Sequence, residues 1–468
     1  MLKYICFCFS FLCFTSFTWS QRDTMVLGLN NNYWRYQSFL ANYKPQITLD
    51  ANLPNLNRTI DAITLPDGSD IFLRRALMRN GVDIRLQQSI ALTGGTVFAS
   101  TGLSRIDIFK NDNNPGSSSY LSTPISVGLI QPILGFNALK WDKKIEPLRY
   151  EESQREYSED QANIAYQAAV SFFDVLIAQL NVEASIRDKA NADTLYQISK
   201  SRFDVGKIAE TELLQIELNA RNAETNLAQS QFNLQNNAEQ LRNFLGIRTP
   251  TTFNLVPPYE LPNYLIDQDL ALEMANKYRS QTIAFRRRIM EADRNIAQSR
   301  GETGFSADVF ASFGLSQTAP NLGDAYNAPL NQEQVRIGLS VPIADWGKTQ
   351  ARLEIAASNA DLIRMSVQQD EIQFDQEIRI KVQQFQQVRQ QAVLAERSYE
   401  IGQKRLDITR KRYRIGKIDV TDLNLAINEE ANARRSYIAA LRTFWLAAYD
   451  LRRLTLYDFE NQQPLLRD

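Results

Sequence analysis

The sequence predicts a mainly helical protein with a β component, in which one strand-plus-helical-hairpin unit is written twice. Three observations carry this. Arg202-Phe203-Asp204-Val205-Gly206-Lys207-Ile208 reappears as Arg412-Tyr413-Arg414-Ile415-Gly416-Lys417-Ile418, and Thr211-Glu212-Leu213 returns as Thr421-Asp422-Leu423, every pair 210 residues apart. A second patch keeps that spacing: Val127-Gly128-Leu129, Pro132-Ile133 and Phe136 match Ile337-Gly338-Leu339, Pro342-Ile343 and Trp346. Long proline-poor stretches rich in Gln, Ala, Glu, Arg and Leu join the patches, and segments of alternating polarity precede them. Two patches in one register are not a chance match, so the chain reads as an internal duplication.

The chain opens on Lys3, an apolar run Tyr4–Phe14 and then Thr18-Trp19-Ser20, the layout of a secretory leader with cleavage expected after Ser20. The run is too short to span a bilayer. All three cysteines (Cys6, Cys8, Cys13) lie inside it, and the chain has no histidine. A mature chain without either residue has no disulfide, no thiolate ligand and few of the usual nucleophile–base pairs, so no catalytic, cofactor or metal site is expected. No later stretch approaches ~18 uninterrupted apolar residues. With 52 basic and 53 acidic residues, nothing suggests a nucleic-acid partner.

A short helix is expected over 28–42, followed by strands. Ile47, Leu49, Ala51 and Leu53 alternate with Thr48, Asp50 and Asn52; Ile125, Val127 and Leu129 follow the same rhythm. In the second unit Phe305, Ala307, Val309, Ala311, Phe313 and Leu315 alternate with small or polar residues, as do Val335, Ile337, Leu339 and Val341. A period of two sets one face in an apolar medium and the other in a polar one. Few strands and no second sheet to cover them favour a tilted membrane strand over a soluble sandwich. Phe136 and Trp346, at equivalent strand ends, are either rings anchored at the membrane–water boundary or core aromatics.

Long helices come next, over about 137–203 and 347–412; at ~1.5 Å per residue each would run on the order of 100 Å. Val205-Gly206-Lys207 and Ile415-Gly416-Lys417 read as C-terminal glycine stops, and returning helices follow over 208–246 and 418–456. Heptad stripes mark the returning helices: Ala426, Ala433, Ala440 and Ala447, with Leu423, Glu430, Tyr437, Phe444 and Leu451 beside them, and Leu213, Ala220, Leu227, Leu234 and Leu241 in the first unit. Such stripes predict helices packed side by side with a left-handed supercoil. Pro250, Pro257, Pro258 and Pro262 mark a linker. The expected organisation is therefore a leader (1–20), a first repeat (21–249), a linker (250–266), a second repeat (267–459) and a tail (460–468).

This pattern resembles the TolC family of outer-membrane factors; the paired Arg-(Phe/Tyr)-x-(Val/Ile)-Gly-Lys-Ile-x-x-Thr-(Glu/Asp)-Leu turns carry the likeness, which covers about 120–460. The resemblance implies an outer-membrane β-barrel, four strands from each of three protomers, continuous with a periplasmic α-helical barrel. It implies that the homotrimer, set in outer-membrane lipid, meets a periplasmic adaptor coupled to an inner-membrane transporter. The tips, Arg202, Phe203, Val205, Gly206 and Lys207 with Arg412, Tyr413, Ile415, Gly416 and Lys417, would contact the adaptor. Tyr413, Asp422 and Glu212 would line the tunnel aperture; alternatively, the two carboxylates stabilise helix N-termini. The family's aperture arginine corresponds to Ile418 and its second aspartate to Leu425, so a double acidic ring is not supported.

Two departures stand out. The leading helix is short, and about 50 extra residues separate the strands of the first unit. Within that 58–120 insert, Ile84–Ile90 and Val97–Leu103 flank Thr93-Gly94-Gly95 as a hairpin, either an exterior extension or added barrel strands. The run 111–117 reads as an extracellular loop. The function expected is the exit duct of a tripartite efflux pump, with the duct of a type I protein secretion system as alternative. An exported coiled-coil adhesin or envelope spacer is the reading from another class, and it would lack the phased strands. Carboxylate pairs such as Glu429-Glu430 and Glu151-Glu152 lie on helical faces without a cleft motif, so an enzyme is not expected.

Overall fold

The computed structural model describes residues 19–64, 66–110, 115–133, 135–262, 264–414, 417–418 and 420–465. The expected leader up to residue 18 lies outside them, as do most of the expected extracellular loop (111–114) and two tip residues, Ile415 and Gly416. In chain order the elements are α1 (Trp19–Ala41), β1 (Gln46–Thr64), β2 (Asp70–Ser89), β3 (Thr96–Ile108), β4 (Ser117–Pro132), α2 (Ala138–Asp204) and α3 (Glu210–Phe244). Then come α4 (Gln268–Tyr278), α5 (Ser280–Thr303), β5 (Ser306–Ala319), β6 (Leu330–Ser340), α6 (Lys348–Arg414), α7 (Val420–Thr455) and a small β7–β8 pair (Tyr457–Asp458, Gln463–Pro464). The long helices α2 and α6 have 67 residues each, and the returning helices α3 and α7 have 35 and 36.

These residues form two compact units. One gathers Glu151–Ile283 and Gln369–Asp468 with the start of the chain as far as Asn30; the other gathers Asn31–Tyr150 and Ala284–Gln368. The second unit holds one antiparallel sheet in the order β1-β2-β3-β4-β5-β6. The resemblance implies four strands and leaves the insert open. Here β2 and β3 join the same sheet, so it has six.

Register explains why the alternating segments become a sheet. Residues directly opposite one another project on the same side. One row runs Ile47–Leu86–Ala99–Val127–Phe313, apolar on five strands. The next row, one residue along, runs Thr48–Arg85–Ser100–Ser126–Gly314–Gln332. In the part of the sheet nearest the helices one face is therefore mainly apolar and the other mainly polar, although the first row ends at Glu333 of β6 and Phe98 and Phe310 lie on the polar side; a slip of one residue would exchange the faces. The apolar face is uncovered within the protomer: Leu49, Phe313, Ile337 and Leu339 are 65%, 56%, 65% and 66% exposed.

Hydrogen bonds tie the lower end of this sheet to the helices of its own unit. The Asn137 side chain accepts from the Lys140 amide at 3.0 Å to start α2, while its Nδ2 donates to the Ala91 carbonyl at 2.9 Å in the β2–β3 turn. Phe136 is half-buried against α5, where Gly301 permits the approach: a Cβ there would stand 2.7 Å from the Phe136 amide nitrogen. Thr349 Oγ1 donates to the Thr303 carbonyl at 3.0 Å, fastening α6 to the end of α5.

In the helical unit the described members of the predicted stripes are buried or half-buried. Ala426, Tyr437, Phe444, Leu451 and Leu454 on α7 and Ala220 and Leu241 on α3 are buried. Phe385 lies between Tyr264 and Phe444 at ring separations of 5.7 and 5.3 Å, in a cluster with Phe374, Ile378 and Val382. A second cluster sets Phe173 and Leu176 of α2 against Tyr437, Ile438 and Leu441. The middle of α2 is apolar enough to cross a membrane by length and composition, and those two residues are part of this core. Charged pairs bridge the helices outside the core: Arg442–Asp174 at 3.0 Å, Arg434–Glu183 at 3.3 Å and Lys381–Asp450 at 2.8 Å.

Candidate functional site

The first helical tip is built by backbone geometry. The Gly206 amide donates to the Phe203 carbonyl at 2.7 Å and the Lys207 amide to the Arg202 carbonyl at 2.8 Å. This pair of bonds is a Schellman stop, which needs a left-handed residue at its centre; Gly206 has φ +72°. The second tip repeats the long bond, from the Lys417 amide to the Arg412 carbonyl at 3.0 Å. The glycine of the second tip, Gly416, lies outside the described residues. A side chain at position 206 would be forced into an unfavourable backbone well at about 1–2 kcal/mol. Gly206→Val is expected to lower stability by that amount and to speed hydrogen exchange at the Lys207 amide; unchanged exchange would contradict this account of the turn.

What the tips present is mixed in character. Arg202, Lys207, Arg412 and Lys417 are exposed, and beside the first two stand the apolar Phe203 and Val205, the latter 67% exposed. Leu214 and Leu218, one turn apart on α3, are also exposed and were not singled out from the sequence. The signal for them was their spacing of four residues beside the Leu213 stripe, of which Leu213 itself is half-buried. Tyr413 is in the last turn of α6 and Glu212 in the first turn of α3. Asp422 is exposed in the first turn of α7, where a carboxylate also favours the helix dipole.

Phe136 and Trp346 are equivalent by sequence but not by environment. Phe136 packs against α5, whereas Trp346 is 95% exposed and has φ +50° in the turn before α6. That turn is held by Asp345, whose carboxylate accepts from the Gly347 amide at 3.1 Å and the Thr349 amide at 2.8 Å. Bonds from Thr349 and Gly347 hold the Asp345 carboxyl below the usual carboxylate range.

In the helical unit, burial pushes the Tyr437 phenol up to about 12, assisted by the nearby Glu396 carboxylate that its hydroxyl reaches at 3.3 Å. It therefore acts as a neutral packing and hydrogen-bonding group. A shallow polar groove between α2 and α3 is lined by Asp174, Asn181, Ser230, Asn233 and Asn237. Among the described residues no group of three or more acidic side chains has a metal-binding arrangement.

A family model described as outer membrane efflux protein matches residues 89–247 and 278–455, well over half of the chain, beginning at the last residue of β2. No curated protein sequence matches it. Solved structures do. The CmeC outer membrane channel of Campylobacter jejuni is 15% identical with a TM-score of 0.61, covering 95% of this chain and 84% of that one. The open-state MtrE outer membrane channel of Neisseria gonorrhoeae is 14% identical with a TM-score of 0.62, covering 96% and 88%. The outer membrane protein VceC of Vibrio cholerae is 13% identical with a TM-score of 0.60, covering 93% and 92%. At these identities the likeness is one of fold, with mixed helical and strand content throughout.

Proposed function

The chain belongs to the outer membrane efflux protein family, and from that membership we propose that three copies of it form a channel serving as the exit duct of a tripartite efflux pump. Members of this family reside in the outer membrane and are transport ducts without enzymatic activity. The observation that carries the duct reading is the sheet. Its mainly apolar face leaves Leu49, Ile84, Val97, Val127, Phe313 and Ile337 exposed, one on each strand, while the opposite face carries Arg85, Asp83, Asp308 and Gln334. Apolar-out and polar-in is the arrangement of a strand between lipid and a water-filled lumen. An open sheet does not survive in hydrocarbon, because its edge amides and carbonyls lack partners there, so closure with other copies is required.

The helical hairpins supply the other end of the reading. Their tips offer exposed Arg and Lys side chains beside Phe203, Val205, Leu214 and Leu218. That combination suits a protein partner, the periplasmic adaptor, which joins the duct to an inner-membrane transporter. Asp422, one per protomer, would place three carboxylates near the aperture and favour cations there.

The test is the mass and solvent requirement of the full chain. Extraction into detergent should give particles of three protomers that conduct ions across a planar bilayer. A monodisperse monomer obtained without detergent would overturn the reading.

A further inference from the structure

We infer that β1 of one protomer pairs with β6 of the next, closing a barrel of eighteen strands rather than the twelve implied by four strands per protomer. The inference rests on the trimeric channel reading above and adds to it the strand number, the register and the residues at the junction. The strand number comes from this chain's own sheet, in which all six strands are hydrogen-bonded in sequence order.

The two open edges fit one another in several respects. β1 and β6 are the terminal strands of a six-stranded antiparallel meander, so they run in opposite senses and can pair antiparallel across a protomer boundary. Both are exposed: residues 46–60 of β1 throughout, and β6 everywhere except Gly338. β3 cannot take the place of β1, because it is already paired on both sides, with β2 over Thr96–Ile108 and with β4 over Thr96–Ile108.

Register follows from matching the strand ends that adjoin the helices. β1 begins at Gln46 and β6 ends at Ser340. Setting these opposite one another places Leu339 against Ile47, Ile337 against Leu49 and Val335 against Ala51, apolar on apolar. On the polar face it places Gln334 against Asn52 and Arg336 against Asp50. A shift of one residue would put the apolar set of one strand on the polar face of the other.

Charge selects this register over shifts of two. Asp50 lies directly opposite Asp83, so two carboxylates share one spot on the polar face. Like charges in that position repel. Among the described residues no ion pair reaches either of them; Arg85, the nearest cation along β2, has its guanidinium 5.8 Å from the centre of the Phe98 ring. Arg336 is exposed on β6 and lies over Phe310 at 5.5 Å. In the proposed register it meets Asp50 of the neighbouring protomer and offsets the carboxylate pair; a shift of two sets it against Thr48 or Asn52.

The consequence is a wider outlet. Barrel diameter grows roughly linearly with strand number, so eighteen strands give about one and a half times the width of twelve, the size class that leaves an aqueous channel.

Cysteine pairs test the junction in the full chain. Asn52→Cys with Gln334→Cys, and separately Ala51→Cys with Val335→Cys, sample both pair types of an antiparallel ladder, one of which brings the side chains closer. Oxidation should yield covalently linked trimers from at least one double variant and from none of the single variants, which also control for the leader cysteines. Trimers by mass in detergent with no linkage from either double variant would overturn the β1–β6 junction and leave the duct reading intact. A monomer by mass would overturn both.

Charge reversal tests the register. Asp50→Arg and Arg336→Asp should each lower the trimer fraction surviving a fixed detergent challenge by roughly fivefold, and the double reversal should restore it. Failure of the double reversal to restore the trimer would overturn the register.

Discussion

Phe385→Ala is expected to destabilise the helical unit by about 3–5 kcal/mol, the largest loss of any single truncation discussed for this chain. Phe385 is 1% exposed and is sandwiched between Tyr264 and Phe444. Removing the ring forfeits its burial and leaves a cavity between residues on α6, α7 and the segment ahead of α4, which cannot collapse together because each is held by its own helix or by neighbouring contacts. Phe385→Leu keeps much of the apolar volume and should cost about 1 kcal/mol. Thermal unfolding of the detergent-solubilised variants separates the two. If Ala and Leu cost the same, stacking rather than volume would govern the site.

That core position was approached from the sequence only through its partner. Phe444 belongs to the Leu423–Leu451 heptad stripe, and a seven-residue recurrence is enough to assign a buried face to α7. α6 carries a stripe of its own, Ile378, Phe385, Ala392, Tyr399 and Leu406 at intervals of seven, which was not singled out from the sequence. The tips were legible for a similar reason: a Schellman stop is a local device whose glycine and flanking residues sit at fixed offsets, and the duplication displayed it twice. The sheet was legible in part. Alternation found the lower halves of β1, β4, β5 and β6 and the hairpin around Thr93-Gly94-Gly95. It missed the upper parts of β1 and β2, where Asn55, Asn57 and Arg58 pair with Arg79, Leu77 and Ala76 and neither face is consistently apolar. The difference between Phe136 and Trp346 was not legible at all, because it depends on the absence of a Cβ at Gly301, in a helix about 165 residues away in sequence.

Asp450→Asn is expected to lower the stability of the helical unit by about 2–3 kcal/mol at neutral pH, below the full cost of breaking a buried pair because its partners are a third exposed. Asp450 on α7 receives Lys381 of α6 at 2.8 Å and Arg453 at 2.7 Å. Burial alone would push its carboxyl up, but the bonds from Lys381 and Arg453 outweigh it and hold the group below the ordinary carboxylate value. A depressed folded-state pKa means that the unfolded chain takes up the proton first on acidification. The contribution is therefore complete above the unfolded pKa of about 4 and is lost as pH falls through the folded one. Melting curves at pH 7 and pH 3 should accordingly show a clear gap between the wild-type chain and Asp450→Asn at the higher pH and a much smaller one at the lower. Lys381→Met should reproduce part of the neutral-pH loss, since it removes one donor and leaves Arg453. An Asp450→Asn deficit that persists undiminished at pH 3 would assign the effect to packing of the amide rather than to the charge that joins α6 to α7.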